Sequence, residues 1–523
     1  MKKNPIIISL FVFCIFQVPF LSLGQKVSGN KEFPCNFITV NPGESSNDII
    51  RKAAKLVPSF QQLAWQQMEF IAFAHFGINT FTDKEWGDGT ENPSLFNPVE
   101  FDARQWVKTF KDAGMKMLII VAKHHDGFCY WPSKYTNHSV KKSPWKKGKG
   151  DVVGELVAAC REFGLKVGIY LSPWDRHEKT YGDSPAYNKF FMNQLKELLT
   201  NYGDITEVWF DGACGEGTNG KKQIYDWSSY YKLIRELQPN ALIFGMGPDI
   251  RWVGTETGYG RESEWSVVPV KVSGLDKIIF NSQHPIDNAF IPGDMTGEDL
   301  GSDEQIATAQ ALLWYPAEAD VSIRPGWFYH ENQSNQVKTP EQLVDIYFGS
   351  VGRNTVLLLN IPPDKRGLLP DEDIRNLMGM RKILNQTFEK NLAAEALLTY
   401  VNPYSEKPYY VMTNKNLTWY SNNGSDTSEI IMNLPNISTF DVVLLQESMM
   451  EGQRVEKFRI ESWEGQKWNK LTEGTTIGYK RLLRFPPVKS NRIRLIIEQA
   501  RSRPTLVTFN LYKLPSGLSF DNK

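Results

Sequence analysis

The sequence predicts an α/β barrel of the (β/α)8-like type, followed by an all-β sandwich domain. From about residue 68, continuously apolar strand-like runs alternate with amphipathic helix-like segments, about seven or eight times. Such repeats indicate a parallel sheet that is buried on both faces. Because no glycine-rich phosphate loop accompanies them, a barrel is favoured over a dinucleotide-binding fold. Near residue 390 the helical patterns stop, and short β-type runs split by turns follow.

The N-terminus is typical of a secretory signal peptide over residues 1–24. A positively charged start precedes an apolar run from Ile6 to Phe16, and small residues follow up to Gly24. The run is short for a membrane span, and no later segment could cross a bilayer. We therefore expect a secreted or periplasmic protein without a membrane span after cleavage. Residues 25–64 are expected to form an N-terminal segment before the barrel.

The barrel domain is predicted over residues 65–388. Its expected strands are FIAFAHFGIN, MLIIVAKHHDG, KVGIYLSPW, TEVWFDG, ALIFGMG, ALLWYPAEADVSI and NTVLLLNIPP. Its expected helices are ARQWVKTFKDAGMK, DVVGELVAACREFG, AYNKFFMNQLKELLTNYG and YYKLIRELQPN, the first two closed by Gly114 and Gly164. Residues 256 to about 303 carry no clear helix and many Gly, Pro and Asp, which indicates a long functional loop.

The predicted C-terminal sandwich covers residues 389–523. It contains the β-type runs NLTWYSNNGSDTSEIIMNL, FDVVLLQES, KFRIESW, NRIRLIIEQ and TLVTFNLYK. The helix DEDIRNLMGMRKILNQTF is expected to join the two domains.

Composition narrows the possible partners. Lys+Arg and Asp+Glu balance at 59 each, so no basic surplus is available to neutralise the phosphates of a nucleic acid. The 15 Trp residues suit the apolar face of a sugar ring, although large cores would also use them. Signal cleavage would leave four cysteines, too few for a disulfide framework in so long a chain.

Residues capable of chemistry close four successive predicted strands. In barrels, the active site lies at the carboxyl ends of the strands. The residues at these ends are His75, Asn79, His124, His125, Asp126, Tyr170, Trp174, Asp175, Trp209 and Asp211. They combine hydroxyl-binding groups, flat rings and an acid, which is a composition suited to a sugar acetal.

Each of these residues also has a structural alternative. Asp211, followed by Gly212, could serve only to form a turn, but its strand-end position favours catalysis. Any one of the histidines could be a satisfied core group, but three of the seven lie at two strand ends. His75, His124 and His125 could in principle hold a metal ion, although no HExxH or HxH spacing is present. A nucleophilic triad fits poorly because there is no GxSxG motif. A pair of carboxylates acting on an acetal fits better, with Glu256 after RWVG as the weaker candidate.

Seven motifs together resemble glycoside hydrolase family 29, the α-L-fucosidases, over about residues 65–375. The motifs are AHFGIN, KHHDGFCYWPS, GIYLSPWD, EVWFDGA, RWVGTE, GWFYH and DIYFGSVGRNTVLLLNIPPDKRG. The resemblance implies a retaining enzyme with Asp211 as nucleophile at the end of the fourth strand. It places Glu256 as the acid/base, with Glu262 and Glu264 as fallback candidates because Thr255 stands where Asn is expected. The implied fucose-binding residues are His75, Glu85, Trp86, His124, His125, Tyr170, Trp209 and, near the methyl group of the sugar, Trp327.

The RWVGTE motif is similar to that of the subgroup that prefers α-1,3/1,4-linked fucose in branched, Lewis-type glycans. The C-terminal part resembles a discoidin-like domain of the coagulation factor 5/8 type, a candidate carbohydrate-binding module that could equally only support the barrel. The expected partners are fucosylated oligosaccharides or glycoconjugates, with no cofactor, no metal and no nucleic acid. A broad-specificity fucosidase, a metal-dependent hydrolase and a catalytically inactive glycan-binding protein are the alternatives. The sequence does not indicate the oligomeric state.

Overall fold

The computed structural model describes residues 35–245, 247–270, 298–400, 409–412, 419–420, 428–516 and 518. The predicted signal peptide, most of the predicted long loop and parts of the first runs of the C-terminal domain therefore lie outside the described residues. The described part of the chain belongs to one compact unit.

Eleven strands are described before residue 370, and they form two sheets. In chain order they are β1 (Phe37–Thr39), β2 (Phe70–Ala74), β3 (Met117–Lys123), β4 (Lys166–Leu171), β5 (Glu207–Trp209), β6 (Leu242–Phe244), β7 (Arg251–Trp252), β8 (Val267–Val270), β9 (Ala311–Trp314), β10 (Ala317–Ser322) and β11 (Val356–Asn360).

Ten α-helices are described in the same part of the chain and just beyond it. They are α1 (Ser46–Ala53), α2 (Phe60–Gln66), α3 (Ile78–Thr82), α4 (Ala103–Ala113), α5 (Val152–Phe163), α6 (Ser184–Asn201), α7 (Trp227–Leu237), α8 (Asp303–Ile306), α9 (Pro340–Ser350) and α10 (Asp371–Phe388). None of the helices in the described ranges is long and apolar enough to span a bilayer.

Eight parallel strands form a nearly closed barrel in the order β6-β5-β4-β3-β2-β11-β10-β7. A bridge between Phe244 and Ile250 joins the two ends of this order. Most of the strand residues are fully buried, because helices cover the outside and side chains fill the inside. The predicted barrel is confirmed, as are the ends of two helices at Gly114 and Gly164, which adopt φ values of 94° and 73°.

Two strand predictions were wrong in extent. The run FIAFAHFGIN is a strand only to Ala74, and its last two residues begin α3. The run ALLWYPAEADVSI contains two strands, because Pro316 offers no N–H to continue a ladder. Its first half, β9, pairs antiparallel with β1 and β8 in a separate sheet, while its second half, β10, lies in the barrel.

After α10, the described chain contains only strands and one short 3-10 turn. These strands are β12 (Leu397–Tyr400), β13 (Tyr409–Met412), β14 (Trp419–Tyr420), β15 (Ser428–Glu447), β16 (Val455–Glu464), β17 (Lys467–Gly474), β18 (Arg481–Ala500) and β19 (Thr505–Tyr512). They pair antiparallel around their own hydrophobic core. The end of the run NLTWYSNNGSDTSEIIMNL and the run FDVVLLQES, predicted as separate, lie in one long strand, β15, and the run NRIRLIIEQ is only the second half of the long strand β18. The pairing of β15 with β18 changes register where bulges bend the strands.

The antiparallel domain packs directly against the barrel. Lys480 pairs with Glu69 beside the start of β2, and Arg481 pairs with Glu262. Apolar side chains such as Leu482 and Tyr512 join the barrel's own core cluster. The domain therefore supports the barrel through both charge and apolar burial.

Candidate active site

The predicted site residues lie at the carboxyl ends of the barrel strands or in the loops that follow them. His75 follows β2, His124 and His125 follow β3, and Tyr170 lies in β4. Asp211 follows β5, the fourth strand of the barrel in chain order, after one buried phenylalanine. This is the edge at which barrel enzymes build their active sites.

The Asp211 carboxylate both forms a turn and faces its neighbours in the site. Its Oδ1 accepts the Ala213 N–H at 2.7 Å, which is the turn contact that an aspartate before glycine can make. Its Oδ2 accepts the Tyr170 hydroxyl at 2.9 Å and lies 3.8 Å from His125 Nε2. The side chain remains 23% exposed. One oxygen is thus anchored, which holds the other in a fixed direction.

The hydrogen bonds of His125 fix its tautomer. Its Nδ1 lies 2.7 Å from the Ser172 hydroxyl, which donates to the Trp174 carbonyl at 2.7 Å. Since that hydroxyl proton is already used, Nδ1 must be the donor. Burial, partly opposed by the charge of Asp211, lowers the pKa of His125. The neutral ring therefore presents an unprotonated Nε2 toward Asp211 and can accept a hydroxyl hydrogen.

His75 is held in the same way by Asn360 at the end of β11. The Asn360 amide donates to the Trp327 carbonyl at 2.8 Å and to Ser322 Oγ at 2.9 Å, so its oxygen must face His75. That oxygen accepts both the His75 backbone N–H and Nδ1–H at 3.0 Å. Burial lowers the pKa of His75 to about 4, so its Nε2 is also an acceptor at neutral pH.

Aromatic rings pack around these groups. His124 stacks on Tyr170 with ring centroids 5.8 Å apart, and Tyr170 stacks on Trp209 at 5.2 Å. Among the described residues, His124 Nδ1 has no hydrogen-bond partner although it is buried. Burial lowers the pKa of His124 well below its usual value, and its neutral ring is thus free to bind a ligand group.

Glu256 is exposed on the loop after β7. Its Oε2 accepts the indole N–H of Trp327 at 3.3 Å. Desolvation raises the pKa of Glu256, and the charges of Asp211 and Glu85 add to the rise, while the Trp327 bond opposes it. A raised carboxyl pKa is the direction of shift that a general acid requires.

Glu85 and Trp86 lie on the loop after α3. Glu85 accepts the backbone N–H groups of Trp327 and Phe328, at 2.9 and 3.3 Å. Trp86 is 52% exposed, and its ring packs edge-on against His125 and Trp174 at 5.3 and 5.5 Å. Glu85 therefore braces the loop that carries Trp327, while Trp86 provides an apolar surface at the opening.

Three further buried carboxyls support the site from inside the barrel. Glu318 accepts the indole N–H of Trp209 at 2.8 Å, and a hydrogen bond joins it to Glu207. Asp320 accepts the indole N–H of Trp252 at 2.7 Å, and burial, with the charges of Glu256 and Asp211, raises its pKa to about 7.

Several sequence candidates lie elsewhere. Glu262 pairs with Arg353 and Arg481 toward the antiparallel domain, and Glu264 is buried against Arg251. Asp175 forms a buried ion pair with Lys123 rather than facing Asp211. Within the described ranges, no group of three or more His, Cys, Asp or Glu side chains is arranged to hold a metal ion.

The sequence analysis missed the supporting residues Asn360, Ser172, Glu318, Asp320 and Ser322. A signal for three of them was present, because polar residues alternate with apolar ones in AEADVS, the segment that forms β10. This period of two places Glu318, Asp320 and Ser322 on the same face of the strand, which faces the barrel interior. No local signal marked Asn360 or Ser172 as partners of the histidines.

Together, a parallel barrel and a strand-end cluster of carboxylates, neutral histidines and tryptophans define a glycoside hydrolase. The model of the family described as alpha-L-fucosidase matches residues 55–389, more than half of the chain. Alpha-L-fucosidase 1 of Arabidopsis thaliana is 41% identical over 466 residues, which cover 87% of this chain and 87% of the relative. The chain therefore belongs to the α-L-fucosidase family.

Solved structures agree with this assignment. A Bacteroides ovatus protein assigned to the α-L-fucosidases is 46% identical, with a TM-score of 0.82 over 94% of this chain and 80% of that one. A GH29 fucosidase of Ruminococcus gnavus, crystallised in complex with fucose, is 31% identical with a TM-score of 0.74, over 94% and 98% of the two chains. An aspartate-to-alanine mutant of the Ruminococcus enzyme has also been crystallised with fucose.

Proposed function

We propose that the chain is a secreted or periplasmic retaining exo-α-L-fucosidase that removes α-1,3/1,4-linked fucose from branched glycans. The main support for this function is the position of the Asp211 carboxylate. One of its oxygens is fixed by a turn, and the other faces Tyr170 and His125. Glu256, with a raised pKa, supplies the second carboxyl that a double displacement requires.

In the first step, Asp211 Oδ2 attacks the anomeric carbon while Glu256 donates its proton to the departing glycosidic oxygen. The C–O bond to the leaving group breaks, and an ester bond between Asp211 and fucose forms. In the second step, Glu256 removes a proton from water, whose oxygen attacks the same carbon and releases Asp211. Two inversions retain the α configuration, and Glu256 ends protonated as it began.

The neighbouring residues would bind the sugar. His75 and His125 offer unprotonated Nε2 atoms to fucose hydroxyls because their Nδ1 atoms are already used as donors. His124 offers an unpaired ring nitrogen. Tyr170 holds the nucleophile, and the rings of Trp209 and Trp327 pack around His75 and Phe73. Glu85 and Trp86 would contact the sugar from the loop after α3.

The linkage preference rests on the RWVGTE motif and on the exposed position of Glu256. If Glu256 protonates the glycosidic oxygen from the opening of the site, the leaving group extends outward, where there is room for a branched glycan. The exposed ring of Trp86 would pack against that glycan. Release of fucose should be compared for α-1,2-, α-1,3-, α-1,4- and α-1,6-linked oligosaccharides. Faster release from Lewis-type trisaccharides than from 2′-fucosyllactose supports the preference, and equal kcat/KM values indicate a broad-specificity enzyme instead.

The antiparallel domain is proposed to be a discoidin-like module. Its support is the all-antiparallel pairing around a separate core and the sequence resemblance. The test is the number of fucosylated glycans that one chain of an inactive variant binds: two per chain would indicate a second site on the module, and one would indicate the barrel alone.

The nucleophile is tested with Asp211→Ala. Turnover should fall at least ~10³-fold because the described site offers no other carboxylate in contact with Tyr170 and His125. Azide should enter from the vacated side and give β-fucosyl azide. Near wild-type turnover of Asp211→Ala would refute the assignment, and a wild-type protein that binds but releases no fucose would be a glycan-binding protein.

A further inference from the structure

The segment Gly326–His330, which we call the Trp327 loop, binds the carboxylate of Glu85. Glu85 Oε2 accepts the Trp327 N–H at 2.9 Å, and Oε1 accepts the Phe328 N–H at 3.3 Å. A Cβ on residue 326 would lie 2.1 Å from Glu85 Oε1, so Gly326 leaves the space that this approach needs. The sequence GWFYH is therefore built around the Glu85 carboxylate.

His330, at the other end of the loop, also contacts Glu85. Its Nε2 lies 2.7 Å from Glu85 Oε1, and its Nδ1 lies 2.6 Å from Asp83 Oδ1. A neutral imidazole carries only one N–H, and ionised carboxylates only accept hydrogen bonds. Both bonds can therefore form together only when the ring is an imidazolium.

The groups around His330 favour its charged form. Asp83 and Glu85 face it from the loop after α3, Glu331 follows it on its own segment, and Glu256 lies beyond Trp327. Burial alone would lower the pKa of His330, but the hydrogen bonds to Asp83 and Glu85 outweigh burial and raise it above its ordinary value. The His330 side chain is only 12% exposed, whereas Asp83 is 61% and Glu85 37% exposed, so water and salt partly screen these contacts.

The Trp327 loop in turn forms one side of the site. The Trp327 indole donates to Glu256, its ring centroid lies 5.1 Å from that of His75, and its carbonyl accepts the amide of Asn360 that holds His75. Moving the loop would thus displace both the proposed acid/base and a proposed sugar-binding histidine.

We propose that His330 is a positioning residue: as an imidazolium it ties Asp83 to Glu85 and so holds the Trp327 loop in its active position, and its deprotonation sets an alkaline limit on activity. The proposal rests on the proposed roles of Glu256 and Trp327. It adds a group that does not touch the substrate and that none of the seven sequence motifs marks as an acid, base or sugar ligand.

The kinetic test separates His330 from Glu256. Aryl fucosides with an acidic phenol as leaving group need little protonation, so Glu256 should not limit their first step. For such a substrate, the alkaline fall of kcat/KM in Asp83→Asn should begin about half a pH unit lower than in wild type, because the imidazolium loses one of its two anions and Asp83 is a largely exposed one. Glu331→Gln is the matched control, since it removes a neighbouring carboxylate that makes no bond to the ring, and it should leave the profile unchanged.

His330→Gln can still donate to Glu85 but carries no charge. Its KM for the same aryl fucoside should rise about tenfold at pH 6, where the wild-type loop is locked, and its remaining activity should lose the alkaline fall. A profile that is the same in wild type, Asp83→Asn and Glu331→Gln would overturn the proposal.

The protonation state of His330 can also be measured directly in the protein without substrate, so that this test does not depend on enzyme activity. Nitrogen-15 NMR of the histidine rings, with His330→Gln used to assign the signal, should show both His330 nitrogens protonated at pH 7, and Asp83→Asn should lower the pH at which one is lost. A neutral ring at pH 7 would refute the proposal even if the enzyme is active. Failure of every protein to release fucose, with an imidazolium present, would instead count against the proposed function.

Discussion

Glu318→Gln is expected to stabilise the protein, and more so as the pH rises. Glu318 is buried between the Trp209 indole N–H and the carboxyl of Glu207. Burial, with the nearby charge of Glu207, raises its pKa well above 4.5. The folded protein therefore holds a proton that the unfolded chain releases near pH 4.5. Between the pKa of unfolded Glu318, about 4.5, and its higher pKa in the folded protein, the folded protein binds one more proton than the unfolded chain. The free energy of unfolding is therefore highest below about pH 4.5 and falls as the pH rises toward the folded pKa.

The size of the effect follows from this difference in protonation. One pH unit corresponds to about 1.4 kcal/mol for a single group, so keeping Glu318 protonated at pH 7 costs at most about 3 kcal/mol of unfolding free energy. A glutamine can accept from Trp209 through its oxygen and donate to Glu207 through its amide, as the protonated acid does, without this cost. The melting temperature should therefore be higher than in wild type at pH 7, by up to about 3 °C for a chain of this length, and nearly equal at pH 4.5.

Thermal unfolding of both proteins between pH 4.5 and 8.5 measures this effect, and fucose release checks that Trp209 keeps its position. Glu197→Gln is the matched control, because Glu197 is also buried but accepts from three donors, the Trp131 indole, the Ser133 hydroxyl and the Lys134 N–H. In Glu197→Gln, the amide NH2 group would replace an oxygen that accepts from these donors, so this variant should have a lower melting temperature at every pH. A pH-independent loss of stability in Glu318→Gln would refute the argument, because it would mean that Glu318 carries no proton.

Two further predictions concern the proposed acid/base. Glu256→Ala should still form the covalent intermediate from aryl fucosides with acidic phenols, but its turnover of natural glycans should fall at least ~10²-fold. Azide should speed the aryl reaction and give α-fucosyl azide. Equal losses of turnover on both substrates would mean that Glu256 is not the acid. Trp327→Phe removes the indole N–H that lowers the pKa of Glu256, so the alkaline fall of kcat/KM on natural glycans should move to higher pH, and a shift to lower pH would contradict the assigned hydrogen bond.

The sequence predicted the barrel because most of its strands are continuously apolar and its helices are amphipathic. It did not predict where the strand after residue 310 divides. Pro316 interrupts the ladder there, and the partners of the two halves, β1 and β11, lie far away in the chain. Nor did it predict α9, which carries apolar side chains on several sides because it packs between the sheet and α10. Local pattern identifies the elements, but the sheet that each strand joins depends on distant segments.

The strand-end rule identified the residues that cluster around Asp211, because carboxyl ends of parallel strands converge in a barrel. It could not identify the groups that fix them. Asn360 lies 285 residues from His75, and Glu318 lies 109 residues from Trp209. Similarly, Glu262 and Glu264 could not be separated from Glu256 by sequence, since the arginines that bind Glu262 belong to distant segments.

The inward face of β10 explains how the site keeps its histidines and tryptophans in place. Glu318 holds Trp209, Asp320 holds Trp252, and Ser322 holds the Asn360 amide that orients His75. Raised carboxyl pKa values on this strand and the low pKa of His75 have the same cause, which is burial in the barrel. Burial therefore favours the neutral form of both kinds of group, and in that form each acts as a hydrogen-bonding group of fixed direction. A loss of up to about 3 kcal/mol at Glu318 would be a sizeable share of the stability of a typical domain, so the aromatic and aliphatic core around the barrel must offset it. We conclude that the geometry of the proposed site depends on the buried polar groups of β10 as well as on the residues that would touch the sugar.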